Sequence, residues 1–315
     1  MISYITRYTD LSRKRFLLHP RPQKNELLSS WLVRVALAHQ TMPWSFMNMH
    51  FPEYKNIVFS RDVDIWAPDR FIDKLVWKSG LNLEDIFSMT LRSYEGYLLE
   101  RVRLDGPNFF ISPIIPRKRR NLGYGQKYCP LCLKEDPAYF RKEWRLSFYS
   151  VCLKHGCYMV DRCQNCGTPV TFYKFKDEQG YVQCYRCKQL LYSKYATSIA
   201  PNVDVDRVKK LMTILEKGYV MINERPIYSI AFFQVLHQIT KIVKHFKLYE
   251  GDDGEGVFAA EKIILDMERR LPKLLLHPKI CFSHLSLDML HIPFFYYIFL
   301  QNGETTNSSF LESMN

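Results

Sequence analysis

Eight residues of metal-ligating type fall in four pairs within one 59-residue window: Cys129-Pro-Leu-Cys132, Cys152-Leu-Lys-His155, Cys163-Gln-Asn-Cys166 and Cys184-Tyr-Arg-Cys187. Two intervening residues let a tight turn aim both side chains of a pair at one ion. The gaps of 19 and 17 residues inside the implied sites suit two such turns closing a tetrahedral zinc site. The spacing therefore predicts two zinc ions per chain. Cys129, Cys132, Cys152 and His155 would hold one, and Cys163, Cys166, Cys184 and Cys187 the other. Only seven residues separate His155 from Cys163, which favours this sequential pairing over a cross-braced one. Cys157 competes with His155 for the fourth place at the first site, and His155 is preferred because it keeps the two-residue spacing. Otherwise Cys157 and Cys281 read as small buried apolar residues. Disulfides are a poorer reading, since no apolar signal segment precedes Arg13-Lys14-Arg15. A redox pair would open a helix once rather than recur three times.

A closed set of four ligands builds a fold, whereas a catalytic zinc keeps a position open for water or substrate. Other catalytic signatures are missing from the sequence. No histidine is followed two places later by Glu, as a deaminase needs, and there is no HExxH, no Gly-Lys dipeptide for a phosphate loop and no GxSxG. Ser283 and His284 are adjacent without the surroundings of a nucleophile elbow. Asp62, Asp64 and Glu84 come nearest to a metal-nuclease triad, but their neighbours read as helix surface and turn. No catalysis is expected.

Charge points to a partner. The chain carries a formal +12, and residues 117–194 hold 16 Lys or Arg against 6 Asp or Glu, a difference of +10. Two zinc ions on seven thiolates bring that to about +7. Arg117, Lys118, Arg119 and Arg120 lead, and Lys127, Lys134, Arg141, Lys142 and Arg145 follow, interleaved with Tyr124, Tyr128, Tyr139, Phe140 and Trp144. Such a pattern predicts a phosphate-binding face made by Arg117, Lys118, Arg119, Arg120, Arg141, Lys142 and Arg145. A solvated face or a dock for an acidic protein is the plainer alternative.

The elements that must position these groups are mostly helical. Asn25 reads as the cap of a helix over residues 26–39, with Leu27, Leu28, Trp31, Leu32, Val35 and Ala38 at helical spacing. Short helices over 44–49, 69–78 (closed by Gly80) and 83–89 (capped by Asn82) follow. They are raw material for a helix-turn-helix or for a generic bundle. Past the paired ligands, helices are predicted over 204–223, 229–246 and 257–271, with an acidic loop at 251–256. The longest nearly apolar run, 292–300, is too short to span a bilayer. These readings divide the chain into an arm (1–24), a helical, helix-turn-helix-like domain (25–112), a tandem zinc domain (113–195), a C-terminal helical domain (196–302) and a frayed tail (303–315). The fold class is mainly α with small zinc-ribbon β elements.

Several strings carry a family resemblance. Tyr128-Cys-Pro-Leu-Cys-Leu-Lys-Glu-Asp-Pro137, Tyr139-Phe140, Trp144-Arg145-Leu146, Val151-Cys-Leu-Lys-His-Gly156 and Asp161-Arg-Cys-Gln-Asn-Cys-Gly167 resemble the TniQ/TnsD family. Asn25-Glu-Leu-Leu-Ser-Ser-Trp-Leu-Val-Arg-Val-Ala36 is similar to that family's opening helix, and Leu81-Asn-Leu-Glu-Asp-Ile-Phe-Ser-Met-Thr-Leu91 to a later one. The resemblance spans residues 25–190 and strengthens the helix-turn-helix reading of 25–90. It implies a bacterial, cytoplasmic target-selection protein of heteromeric DNA transposons that cuts and joins nothing itself. Such a protein recruits an AAA+ ATPase, which brings the transposase. The shortness of the chain favours an adaptor seated, commonly as a homodimer, on an RNA-guided Cascade-like complex. The alternatives are a TnsD-type reader of a fixed DNA site and a stand-alone zinc-dependent transcription regulator.

Overall fold

A computed structural model describes residues 15–55, 58–104, 106–114, 125–174, 180–192, 198–222 and 224–248. Outside the described residues lie Arg117 to Arg120 and Tyr124. So do the loop at 251–256, the helix expected over 257–271, Cys281, Ser283, His284 and everything beyond. Among the described residues the protein is mostly helical, with one two-stranded sheet and two clusters of Cys and His side chains. It divides into two compact units, one of Met1–Glu95 with Arg101–Val205 and one of Gly96–Glu100 with Asp206–Asn315.

The first unit opens on α1 (Leu28–Ala38), whose Leu28, Trp31, Leu32 and Val35 are fully buried. Asn25 does not cap it. That residue takes a left-handed φ of 57°, and its carbonyl accepts the Lys142 N–H at 2.7 Å. The first amides of α1 find distant partners instead. Leu27 N–H donates to Phe140 O at 2.9 Å, Leu28 N–H to Met89 O at 2.9 Å and Ser29 N–H to Asp64 Oδ1 at 2.8 Å. Amides at a helix start need acceptors, and here the tertiary fold supplies them, so the local cap signal misled.

The next helices follow local rules. Pro43 sits in the first turn of α2 (Pro43–His50), followed by the short α3 (Val63–Trp66). A left-handed Gly80, φ 73°, terminates α4 (Asp69–Ser79), as a C-terminal glycine does. Asn82 Oδ1 accepts the Asp85 N–H at 2.6 Å and opens α5 (Leu83–Ser88).

The cysteine-rich segment of the same unit is held by turns and single bridges rather than by a ladder. These bridges are Tyr128 to Val160, Val151 to Tyr158, Arg162 to Pro169 and Gln183 to Leu190. One helical turn, α6 (Pro130–Leu133), carries Cys132. An aromatic cluster lies beneath, with Phe140 stacked on Phe172 at 4.1 Å and Tyr181 edge-on to Phe140 at 5.7 Å. Tyr181 Oη also meets Ser30 Oγ of α1 at 2.7 Å, and Phe59 stacks on Tyr173 at 4.9 Å. The helical and cysteine-rich segments thus share one core.

The second unit holds most of α7 (Asn202–Lys217), then a hairpin and α8 (Ser229–Leu248). From sequence alone α7 is expected to run on to residue 223. Gly218, at φ 77°, ends it, and β1 (Tyr219–Ile222) pairs antiparallel with β2 (Arg225–Tyr228). No described helix is long and apolar enough to cross a membrane.

Candidate metal centres

Three of the four paired turns are built alike. In each, the amide of the first ligand donates to the carbonyl five residues on: Cys152 to Cys157 at 2.8 Å, Cys163 to Thr168 at 2.9 Å and Cys184 to Gln189 at 2.9 Å. The amide four residues on then returns to the first ligand's carbonyl, from Gly156 and Gly167 at 2.8 Å and from Lys188 at 2.9 Å. That returning residue is left-handed, with φ of 60°, 66° and 63° for Gly156, Gly167 and Lys188. The sharp reversal turns both ligands of a pair to one side. Cys129 and Cys132 use the other device, a cysteine at the start of a helical turn with the next at its third position.

Two donor clusters result, Cys129, Cys132, Cys152 and His155, and Cys163, Cys166, Cys184 and Cys187. Within each, the donor atoms all lie within 4.8 Å of one another. The pairing is sequential rather than cross-braced. Tetrahedral zinc, with bonds of about 2.3 Å to sulfur and 2.0 Å to nitrogen, needs edges of about 3.8 Å between sulfurs and about 3.5 Å from sulfur to nitrogen. In the first cluster His155 Nδ1 lies 3.5 Å from Cys129 Sγ, 3.3 Å from Cys132 Sγ and 3.7 Å from Cys152 Sγ, and the Cys132 and Cys152 sulfurs are 3.7 Å apart. In the second, Cys163 to Cys187 is 3.5 Å and Cys166 to Cys184 is 3.6 Å. These edges, with soft sulfur donors, fit a tetrahedral ion such as zinc.

Glu135 adds a feature that the spacing did not disclose. His155 Nε2 lies 3.2 Å from its carboxylate, which also takes Lys154 Nζ at 2.6 Å. A carboxylate behind the imidazole fixes the proton on Nε2 and leaves Nδ1 free to ligate. Cys157 lies beside the first cluster, its Sγ 3.5 Å from Cys129 Sγ, but its backbone runs on from the turn into a bridge with Ile199. The cluster therefore has four convergent donors and a neighbouring fifth sulfur.

The basic face expected at Arg141, Lys142 and Arg145 is not a face. Arg145 is 1% exposed. Its Nη1 donates to Asp62 Oδ1 at 3.1 Å and Asp64 Oδ2 at 3.2 Å, its Nη2 also pairs with Asp62, and its Nε donates to Ser112 O at 3.1 Å. Asp64 Oδ2 accepts the Ser29 hydroxyl at 2.7 Å as well, so one carboxylate anchors both Arg145 and the start of α1. Burial and the neighbouring Asp62 carboxylate push the Asp64 pKa up to about 6, against the pull of Arg145. The two acids that resembled part of a nuclease triad are thus partners of a buried guanidinium.

Lys142 is buried too, donating to Ser93 Oγ at 2.7 Å, and burial pushes its pKa down to about 8. Arg141 lies 5.0 Å over the Tyr139 ring and 5.8 Å over Trp144, largely covered. Lys127 is 1% exposed and donates to Leu146 O, to Tyr149 O at 3.1 Å and to Ser147 O at 3.3 Å. Arg145, Lys142 and Lys127 meet partners 19 to 83 positions away in the chain, which a reading of local charge density cannot see, while Arg141 is covered by its near neighbours Tyr139 and Trp144.

The TniQ family model matches residues 17–159. No curated protein matches the chain.

Proposed function

We propose, on the match of the TniQ family model to residues 17–159, that the chain acts in transposition target selection as a non-catalytic adaptor of bacterial DNA transposition. It joins a target-bound nucleic-acid complex, RNA-guided and Cascade-like, to an AAA+ ATPase regulator and through it to the transposase. The observation that carries this reading is the family match over residues 17–159, a segment that takes in all four residues of the first Cys/His cluster. Two zinc ions per chain, held by Cys129, Cys132, Cys152 and His155 and by Cys163, Cys166, Cys184 and Cys187, serve as structural braces. All four donors of each cluster converge, which leaves no protein-side vacancy of the kind a catalytic zinc uses. The acids Asp62 and Asp64 are engaged by Arg145 and so do not support a nuclease centre. The protein works in the cytoplasm, where thiols stay reduced and available to the metal.

Co-purification tests the proposal. The full chain should retain an AAA+ ATPase and a Cascade-like RNA complex, and should turn over neither nucleotide nor DNA alone. Retention of the ATPase together with tight binding to one duplex sequence, without any RNA complex, would identify a fixed-site reader instead. Binding of neither partner would leave a stand-alone regulator.

A further inference from the structure

Because three paired turns share one backbone, their side chains can be compared position by position. Between its ligands the second turn carries Leu153 and Lys154, the third Gln164 and Asn165, and the fourth Tyr185 and Arg186. Lys154 is engaged by Glu135. Tyr185, by contrast, leaves 39% of its surface open, and Arg186 and Lys188 are exposed beside it. The Lys174 ammonium lies 5.7 Å from the Tyr185 ring centroid. One Arg186 nitrogen reaches Thr168 Oγ1 at 3.5 Å, which steadies the guanidinium.

The position after the second ligand is more telling. It is Gly156 and Gly167 in the other two turns and Lys188 here, all left-handed. A residue with a Cβ is strained where glycine is not. Strain kept at an exposed cation points to use of the side chain.

We propose that this fourth turn is a contact for unpaired nucleotides, with Tyr185 stacking on a base and Arg186, Lys188 and Lys174 meeting the adjacent phosphates. An exposed ring offers a platform to a base free of its own stack, as in single-stranded RNA or DNA, and offers little to a duplex. The turn is pinned by two ligands and two backbone hydrogen bonds, so the ring and the cations are positioned before the strand arrives. Within the cysteine-rich segment this relocates the nucleic-acid contact from Arg141, Lys142 and Arg145 to a site the sequence reading did not single out. The inference rests on the reading of the chain as an adaptor on a nucleic-acid complex and names the chemistry of that contact.

The competing role for these cations is to offset the charge of −2 that four thiolates and one divalent ion would leave. Fluorescence anisotropy of the full chain with labelled oligo-dT, oligo-U and a duplex, alongside zinc content and thermal midpoint, separates the two. Tyr185→Ala should weaken single-strand binding by about 5- to 150-fold, leave duplex binding unchanged and keep the metal, and Tyr185→Phe should restore binding. Lys188→Gly should raise the thermal midpoint while lowering the slope of log affinity against log salt by about 0.7. A wild type that does not bind single strands, a Tyr185→Ala variant that binds like wild type, or a Lys188→Gly variant that loses zinc and stability would each overturn the proposal. Failure of the adaptor reading shows separately, as a wild type that binds oligonucleotides through Tyr185 yet retains no ATPase.

Discussion

Arg145 shows at the scale of one residue how context reverses meaning. A basic side chain in a basic segment reads as surface, yet this one is buried against Asp62, Asp64 and a backbone carbonyl. Removing one partner of a buried ionic group strands the others without solvent. Arg145→Ala should therefore cost about 3–5 kcal/mol, measured as a drop in the denaturant midpoint, and should loosen α1 because Asp64 also holds Ser29. Lys127 is the second case. Burial lowers its pKa from 10.5 to about 7, with the Asp161 carboxylate opposing. Between those values the unfolded chain binds more protons than the folded one, so the contribution of this group to stability rises with pH across that window. Lys127→Met should flatten that part of the pH profile relative to wild type, and should destabilise at neutral pH by removing the buried donor that the Leu146, Ser147 and Tyr149 carbonyls share. At the first metal cluster, Cys157→Ser should keep two ions per chain and His155→Ala should not. Metal analysis giving the opposite result would make Cys157 the fourth ligand.

The paired turn is the element on which the cysteine-rich segment depends. Its reversal needs a left-handed residue, and its ligands need a partner turn, so the two metal clusters should fail one at a time. Cys187→Ser should lose one ion and melt the segment around residues 163–191, with the first cluster still loaded. Hydrogen exchange read segment by segment would show this, and simultaneous loss of both ions would mean that the clusters fold as one. Gly125 tests the bridges that frame these turns. A Cβ there would lie 2.0 Å from Asp161 O and 2.4 Å from Val170 N, both backbone atoms unable to swing aside. Gly125→Ala should destabilise by about 3 kcal/mol through overpacking, visible as a lower thermal midpoint.

For the first compact unit as a whole, the expected outcome of metal removal differs from that for independent domains. Helix α1 draws amide acceptors from Phe140, Met89 and Asp64, and Tyr181 bonds to Ser30. Stripping the metal with a strong chelator should therefore expose residues 15–95 to proteolysis together with the cysteine-rich segment, because structural metal binding is coupled to folding. A protease-resistant helical fragment after chelation would show that the two segments fold separately.

How much of this was legible beforehand follows from the range of the interactions. The grouping of eight Cys and His side chains into two sequential clusters, Gly80 as a helix stop and Asn82 as a helix start follow from residue types at short spacings, and these the amino-acid sequence by itself determined. The family likeness rests on the same local strings. The unbroken helix past Lys217 overlooked a stop just as local, Gly218, whereas Asn25 as a cap and the basic face at Arg141, Lys142 and Arg145 were local readings that tertiary structure decided otherwise. Residues 81 and 83 positions apart formed the Arg145 ion pairs, and a carbonyl far along the chain satisfied the first amide of α1. Desolvation explains the difference. A charge or an amide leaves water only for a partner, and which partner arrives is settled by how the whole unit closes.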